Sequence, residues 1–231
     1  MHVFYIPELS PAHAEITLSE EESKHACKVL RLKNGDQIAL LDGRGGDYTG
    51  EITEDHPKHC QVKILTHTLQ DAPKHEIHIA IAPTKNNDRI EWFLEKTTEL
   101  GITEITLLLC KNSERRQSRE DRFEKILVSA MKQSQRKFLP RLNALTPFPE
   151  FLKKYPQGAL AHCADGAKNG LHTTFQAQNY PILIGPEGDF TAEEIAAAQQ
   201  SGYDFITLGQ NRLRTETAGL YACMLALQEI Q

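Results

Sequence analysis

The chain has 231 residues, 40% hydrophobic and 25% charged, with a formal net charge of −5. That length holds one large core or two modest ones, and the composition is that of an ordinary water-soluble protein. No apolar run is long enough to span a bilayer, Met1–Pro7 lacks the layout of a secretory signal, and the five scattered cysteines suit a reducing, cytoplasmic setting.

Up to about Thr68 the chain reads as a small β domain with one helix. Ser19 and Glu22 have capping-box spacing and open a helix expected over Glu20–Leu30. Turn signals at Asn34-Gly35 and at Asp42-Gly43-Arg44-Gly45-Gly46 separate expected strands Gln37–Leu41 and Tyr48–Thr53. Gln61–Leu65 alternates polar and apolar, as a half-buried strand does. Short strands joined by glycine turns predict a small barrel. A polar stretch with Pro73, Leu69–His75, reads as a linker, which gives domains over residues 1–72 and 73–231.

Beyond it the period changes. Strands are expected at Glu76–Ala82, Ile105–Leu109, Ala159–Cys163, Ile182–Ile184 and Phe205–Leu208. Helices are expected at Asp88–Leu100, Arg119–Lys137, Phe148–Tyr155, Ala192–Ser201 and Glu216–Gln228. This alternation predicts an α/β domain whose parallel sheet is covered on both faces. The last helix is apolar nearly all round, which predicts burial within its own domain or against a second subunit.

The first of these strands ends Ala82-Pro83-Thr84-Lys85-Asn86, without glycine, so neither a dinucleotide fingerprint nor a phosphate loop stands there. Glycines turn instead at Ile184-Gly185-Pro186-Glu187-Gly188-Asp189-Phe190 and at Leu208-Gly209-Gln210-Asn211-Arg212-Leu213-Arg214. Each follows an apolar strand and leads into a helix start, the first with Thr191 and Glu194 as capping box, the second with Thr215 as expected cap. Two such turns present backbone N–H and C=O groups to one crevice at the carboxyl ends of parallel strands. Arg214 and Glu187 are the polar side chains placed to act there, the arginine as a clamp for an anionic oxygen.

The histidines and cysteines, among them His56, His59, Cys60, His162 and Cys163, show no metal-site spacing, so no metal is expected. No nucleophile motif occurs. Ten Lys and Arg against four Asp and Glu lie between Lys111 and Arg141. Arg115, Arg116, Arg119, Arg122, Lys132, Arg136, Lys137 and Arg141 suit a phosphate-binding face, and a solvated helix face accounts for the same residues.

G-P-E-G-x-F-T-x-x-E followed by L-G-x-x-x-L-R-x-E-T-A resembles the small-subunit ribosomal RNA (uracil-N3)-methyltransferases, of the trefoil-knotted methyltransferase superfamily. Thr84–Gly101, Ala130–Arg136 and His25–Arg31 are similar to three further stretches of that family in the same order. Asp189 departs from a second glycine, and Gln210-Asn211-Arg212 from the usual residues before L-R.

The resemblance implies a PUA-like β-barrel that docks RNA, a knotted α/β domain, and a homodimer. It implies S-adenosyl-L-methionine held by Ile184, Gly185, Pro186, Glu187, Gly188, Leu208, Gly209, Asn211, Leu213 and Thr217. Arg214 and Glu187 are then the catalytic pair, and His25, Arg31, Arg44, Arg115, Arg116 and Arg136 the RNA-binding residues. The implied reaction methylates N3 of one uridine in the 16S rRNA of the small ribosomal subunit. Two other readings stand beside it. One is an RNA-binding module of ribosome assembly without catalysis. The other is a knotted enzyme that methylates ribose 2′-oxygen in tRNA.

Overall fold

The structure is a computed structural model that describes residues 1–176 and 178–230. The chain divides into two units, Met1–Ala72 with Met131–Leu139, and Pro73–Ala130 with Pro140–Gln231.

In the first unit, β1 (Val3–Tyr5), β2 (Glu15–Thr17), β3 (Gln37–Leu41), β4 (Gly46–Glu54) and β5 (Gln61–Leu69) form a mixed sheet. Its order is β1-β3-β4-β5-β2, with β1 parallel to β3 and the other neighbours antiparallel. The predicted barrel is therefore a half-barrel with β1 and β2 as its outer strands. Phe4, Leu18, Ile38, Leu40, Tyr48, Ile52 and Val62 fill it, because alternate residues of each strand point to one face.

The expected helix from Glu20 is α1 (Glu20–Lys24) only, and then widens into a π-helical turn over His25–Val29. There the Leu30 N–H reaches the His25 carbonyl at 2.9 Å, five residues back. The turn ends at Arg31, whose φ of 59° is left-handed without a glycine.

Residues 131–139 pack in this unit against the glycine turn between β3 and β4. Gly45 N–H donates to Lys137 O and Leu139 N–H to Gly43 O, both at 2.9 Å. A Cβ on Gly45 would stand 2.8 Å from the Phe138 ring, and its φ is 106°, so only glycine admits the segment there.

The second unit is an all-parallel sheet. Its strands are β6 (His78–Ile81), β7 (Glu104–Leu109), β8 (Arg141–Pro147), β9 (Gly158–Ala161), β10 (Asn169–Gly170), β11 (Ile182–Ile184) and β12 (Tyr203–Thr207). Their order is β10-β12-β9-β11-β6-β7-β8, so β9 lies between the two strands that lead into the glycine turns. The helices are α2 (Asn87–Leu100), α3 (Glu120–Ser134), α4 (Phe148–Lys154), α5 (Leu171–Thr174), α6 (Ala192–Gln200) and α7 (Thr215–Gln228). Gly101 ends α2 at a left-handed φ of 102°, as its place after the apolar run predicts. The last turn of α3 belongs to the first unit.

Helix α7 lies against α2, β6 and β11. Gly219 makes the approach possible, since a Cβ there would meet the Phe93 ring at 2.7 Å. Ala222, Cys223 and Ala226 share this buried side, whereas Tyr221 and Met224 are 40% and 44% exposed. Among the described residues, the side of the helix that carries Tyr221 and Met224 is thus left uncovered.

Candidate functional site

Two cavities open at the carboxyl ends of β9, β11 and β12. One, of about 380 Å³, is bounded by Ile184–Asp189, by Arg212–Thr215, and by Arg89 and Cys163. The other, of about 270 Å³, is bounded by Ile206–Leu213 with His162, Cys163 and Lys168. Ala161, Cys163, Arg212, Leu213 and Ala218 line both, so the two are ends of one slot.

The first loop is held from four directions. Glu187 Oε1 accepts the backbone N–H of Lys85 at 3.0 Å, pinning the loop to the segment after β6. The Asn112 carboxamide, from the segment after β7, donates to the carbonyls of Gly188 and Asp189 at 3.2 and 3.0 Å. Asp189 Oδ2 accepts the Cys163 N–H beyond β9 at 2.7 Å. Thr215 Oγ donates to the Gly185 carbonyl at 3.1 Å, joining the first loop to the start of α7. Side chains thus pair with backbone groups in and around a loop that runs from buried Gly185 to exposed Glu187 and Gly188.

The two helix starts differ. Thr191 and Glu194 form the reciprocal capping box that their spacing predicts. Thr215, the expected cap of α7, is its first helical residue instead. Arg214 takes the cap position with no side-chain capping bond, since a guanidinium offers no acceptor, and the Thr215 hydroxyl is committed to Gly185. Arg214 is left exposed on the wall of the first cavity. Behind it, buried Glu216 faces Arg89 Nε at 3.7 Å.

Gly185 stands against Phe190, whose ring a Cβ would approach to 3.0 Å. Gly209 has open space around it but a φ of 114°, so its constraint is backbone conformation. His162 lines the second cavity, and its two ring nitrogens are buried without a partner. Burial lowers its pKa, aided by Lys168 and opposed by Asp189, which keeps the ring neutral.

Of the residues the sequence points to, Ile184, Gly185, Pro186, Glu187, Gly188, Leu213 and Arg214 line the first cavity, and Leu208, Gly209, Asn211 and Leu213 the second. Thr217 is exposed on α7 and lines neither. Arg89, His162, Cys163 and Ala218 are wall residues that the sequence reading did not assign to the slot. The available signal was position: His162 and Cys163 directly follow a parallel strand.

The basic residues divide between the two units. His25, Arg31, Arg44 and Arg136 belong to the first unit, Arg115 and Arg116 to the second. His25, Arg31, Arg116 and Arg136 are exposed. Arg44 donates to the Pro7 and Leu9 carbonyls, and Arg115 to those of Thr84 and Lys85. Arg122 pairs with Glu91, Lys132 with Glu22, Lys137 with Asp47 and Arg141 with Glu104. Among the described residues, no three His, Cys, Asp or Glu side chains converge as a metal site would need. No described helix is long and apolar enough to cross a membrane.

Residues 70–227 match the family of the RNA methyltransferase domain, and residues 18–65 that of the RNA methyltransferase PUA domain. The chain is 28% identical over 224 residues to Ribosomal RNA small subunit methyltransferase E of Rickettsia conorii, covering 94% of this chain and 91% of that one. A probable rRNA-methyltransferase from Porphyromonas gingivalis superposes with a TM-score of 0.89 at 34% identity, over 99% of this chain and 98% of that one. Ribosomal RNA small subunit methyltransferase E from Neisseria gonorrhoeae, bound to S-adenosyl methionine, gives 0.87 at 26% identity, over 99% and 97%.

Proposed function

This chain belongs to the RNA methyltransferase family, and from that premise we propose that it methylates N3 of a uridine in 16S rRNA, with S-adenosyl-L-methionine as donor. The observation that carries the reading is the single slot walled by two glycine loops at the ends of the strands on either side of β9.

The residues suit such a cofactor. Backbone groups of Ile184–Gly188 and Leu208–Leu213 offer the hydrogen bonds an adenosine needs. When bound, the cofactor supplies a methyl group made electrophilic by its sulfonium. The protein's part is positioning and charge.

Uracil N3 must lose its proton, and the resulting charge spreads onto O2 and O4. Arg214, fixed at the start of α7 and free to reach the slot, stabilises that charge and orients the base. Glu187 holds the loop, since Oε1 is engaged with Lys85 N–H. This favours a supporting role for it over proton removal.

The exposed His25, Arg31, Arg116 and Arg136 contact phosphates, and the first unit docks the RNA while the target base leaves its stack. Leu213, Tyr221 and Met224 are apolar and exposed, which supports a homodimer formed through α7. The strand order supports a threaded chain end: β12 lies beyond β9, yet α7 returns to β6 and β11. The protein acts in the cytoplasm, with the small ribosomal subunit.

Isothermal titration with S-adenosylmethionine tests the cofactor. Saturable binding is expected, and its loss in folded Gly185→Val or Gly209→Val. Nucleoside mass spectrometry of unmodified 16S rRNA after incubation then distinguishes 3-methyluridine from a ribose methyl. Absence of binding by the folded protein would favour an RNA-binding module without catalysis.

A further inference from the structure

We propose that Asp189 is a positioning residue: its carboxylate ties the loop after β11 to the end of β9 and so keeps the two cavities joined as one binding-ready slot. The methyltransferase reading enters only through the choice of ligand for the test.

Asp189 sits at a left-handed φ of 61°, where glycine costs less than any side chain. A strained non-glycine residue persists where surrounding structure holds it and something is gained. Here the gain is visible in the hydrogen bonds. The Asp189 N–H closes the turn on the Pro186 carbonyl at 2.9 Å. Oδ1 accepts the N–H of Phe190 at 2.8 Å, fixing the carboxylate relative to its own loop. Oδ2 accepts the N–H of Cys163 at 2.7 Å, and of the bonds that leave the loop this is the one that reaches the end of β9.

The place of the bond gives it its effect. Cys163 lines both cavities, and Phe190 is the ring that packs on Gly185. One carboxylate therefore fixes the shared wall and, through the next residue, the first glycine of the loop. Glycine at 189 would relax the backbone yet release the Cys163 N–H and detach the wall. Both bonds are short and charge-assisted, which is the stronger class.

Asp189→Gly and Asp189→Asn separate shape from tie, because the asparagine carbonyl oxygen can still accept the Cys163 N–H while its NH2 gives up the bond from the Phe190 N–H. Three readouts are needed: amide exchange at Cys163 in the ligand-free protein, the Kd of S-adenosylmethionine by titration, and kcat on 16S rRNA. Asp189→Gly is expected to speed Cys163 exchange and weaken cofactor binding about tenfold each, with kcat at saturating cofactor within about threefold. Asp189→Asn, with one acceptor oxygen in place of two, is expected to fall between wild type and the glycine variant in exchange and binding.

Wild-type exchange and binding in Asp189→Gly would overturn the proposal, and so would an Asp189→Asn protein as impaired as the glycine variant. If wild-type protein fails to bind the cofactor while Asp189→Gly still speeds Cys163 exchange, the methyltransferase reading falls and the tie stands.

Discussion

The hydroxyl of Thr215 donates to the carbonyl oxygen of Gly185 at 3.1 Å, so the first residue of α7 and the first glycine of the slot are one hydrogen-bonded unit. Both residues are buried. Thr215→Val keeps the shape and deletes the donor, leaving a buried carbonyl unpaired. It is expected to lower stability by about 1–3 kcal/mol in urea unfolding and to weaken cofactor binding, while Thr215→Ser restores both. An unchanged unfolding midpoint in Thr215→Val would show that the bond contributes nothing.

Arg214 stands at the mouth of the first cavity with no capping role to hold it. Arg214→Ala is expected to reduce kcat about 100-fold or more and leave the Kd of S-adenosylmethionine within about threefold. Arg214→Lys retains the charge without the fork and recovers only part of the rate. Equal losses in rate and cofactor affinity would remove Arg214 from the chemistry.

Cys163 is exposed, whereas Cys27 is half-buried and Cys60 and Cys110 are buried, and Cys163 alone of these lines the slot. Iodoacetamide is expected to label Cys163 first, with saturating S-adenosylmethionine slowing the labelling several-fold. Mass spectrometry of the tryptic peptide gives the rate. Labelling indifferent to the cofactor would place the ligand elsewhere.

At the opposite, amino-terminal ends of β6 and β7 lies a buried polar group. His78 Nε2 bonds to Thr106 Oγ at 2.8 Å, and Glu104 accepts from Asn143 at 2.6 Å and Tyr155 at 3.1 Å. Burial pulls the His78 pKa down to about 4, against Glu104 and with Arg141 and Lys154. For Glu104, burial pushes upward, but His78, Asn143 and Arg141 prevail and the pKa is lowered. From pH 6.5 down to 4 the unfolded chain binds the His78 proton and the folded chain does not, so stability falls over that window as pH falls. Glu104 adds a loss at lower pH, as it protonates through its depressed folded pKa. Thermal unfolding between pH 7 and 4 is expected to show the decline for wild type and a flatter curve for His78→Gln. Parallel curves for the two proteins would exclude His78 as the cause.

Local signals were legible in the chain, and contacts between distant residues were not. The Thr191–Glu194 capping box, the glycine ending α2, and the continuous apolar strands β7 and β11 are written within a few residues, and all form. Strand β8 escaped because it is an outer strand between Pro140 and Pro147, half-buried along its length and without a clean period. The π-helical turn after α1 has no composition of its own. Sequence counts the charges of Arg44 and Arg115 but not the carbonyls, some 30 residues away, to which their guanidiniums donate. His162 and Cys163 carry no metal-site spacing, and strand order, which no spacing reveals, is what brings them to the slot.

The division of the chain has a consequence for how this protein can be cut or recombined. Residues 131–139 complete the first unit from within the span of the second, so the backbone crosses between units after residues 72, 130 and 139. A gene fragment ending at residue 72 encodes a half-barrel whose Gly43 carbonyl and Gly45 N–H have lost their partners. A fragment beginning at 73 carries a helix end and tail that belong to the missing unit. The two units are therefore inherited as one piece, and a chimera that exchanges the first must also exchange the nine residues that return to it.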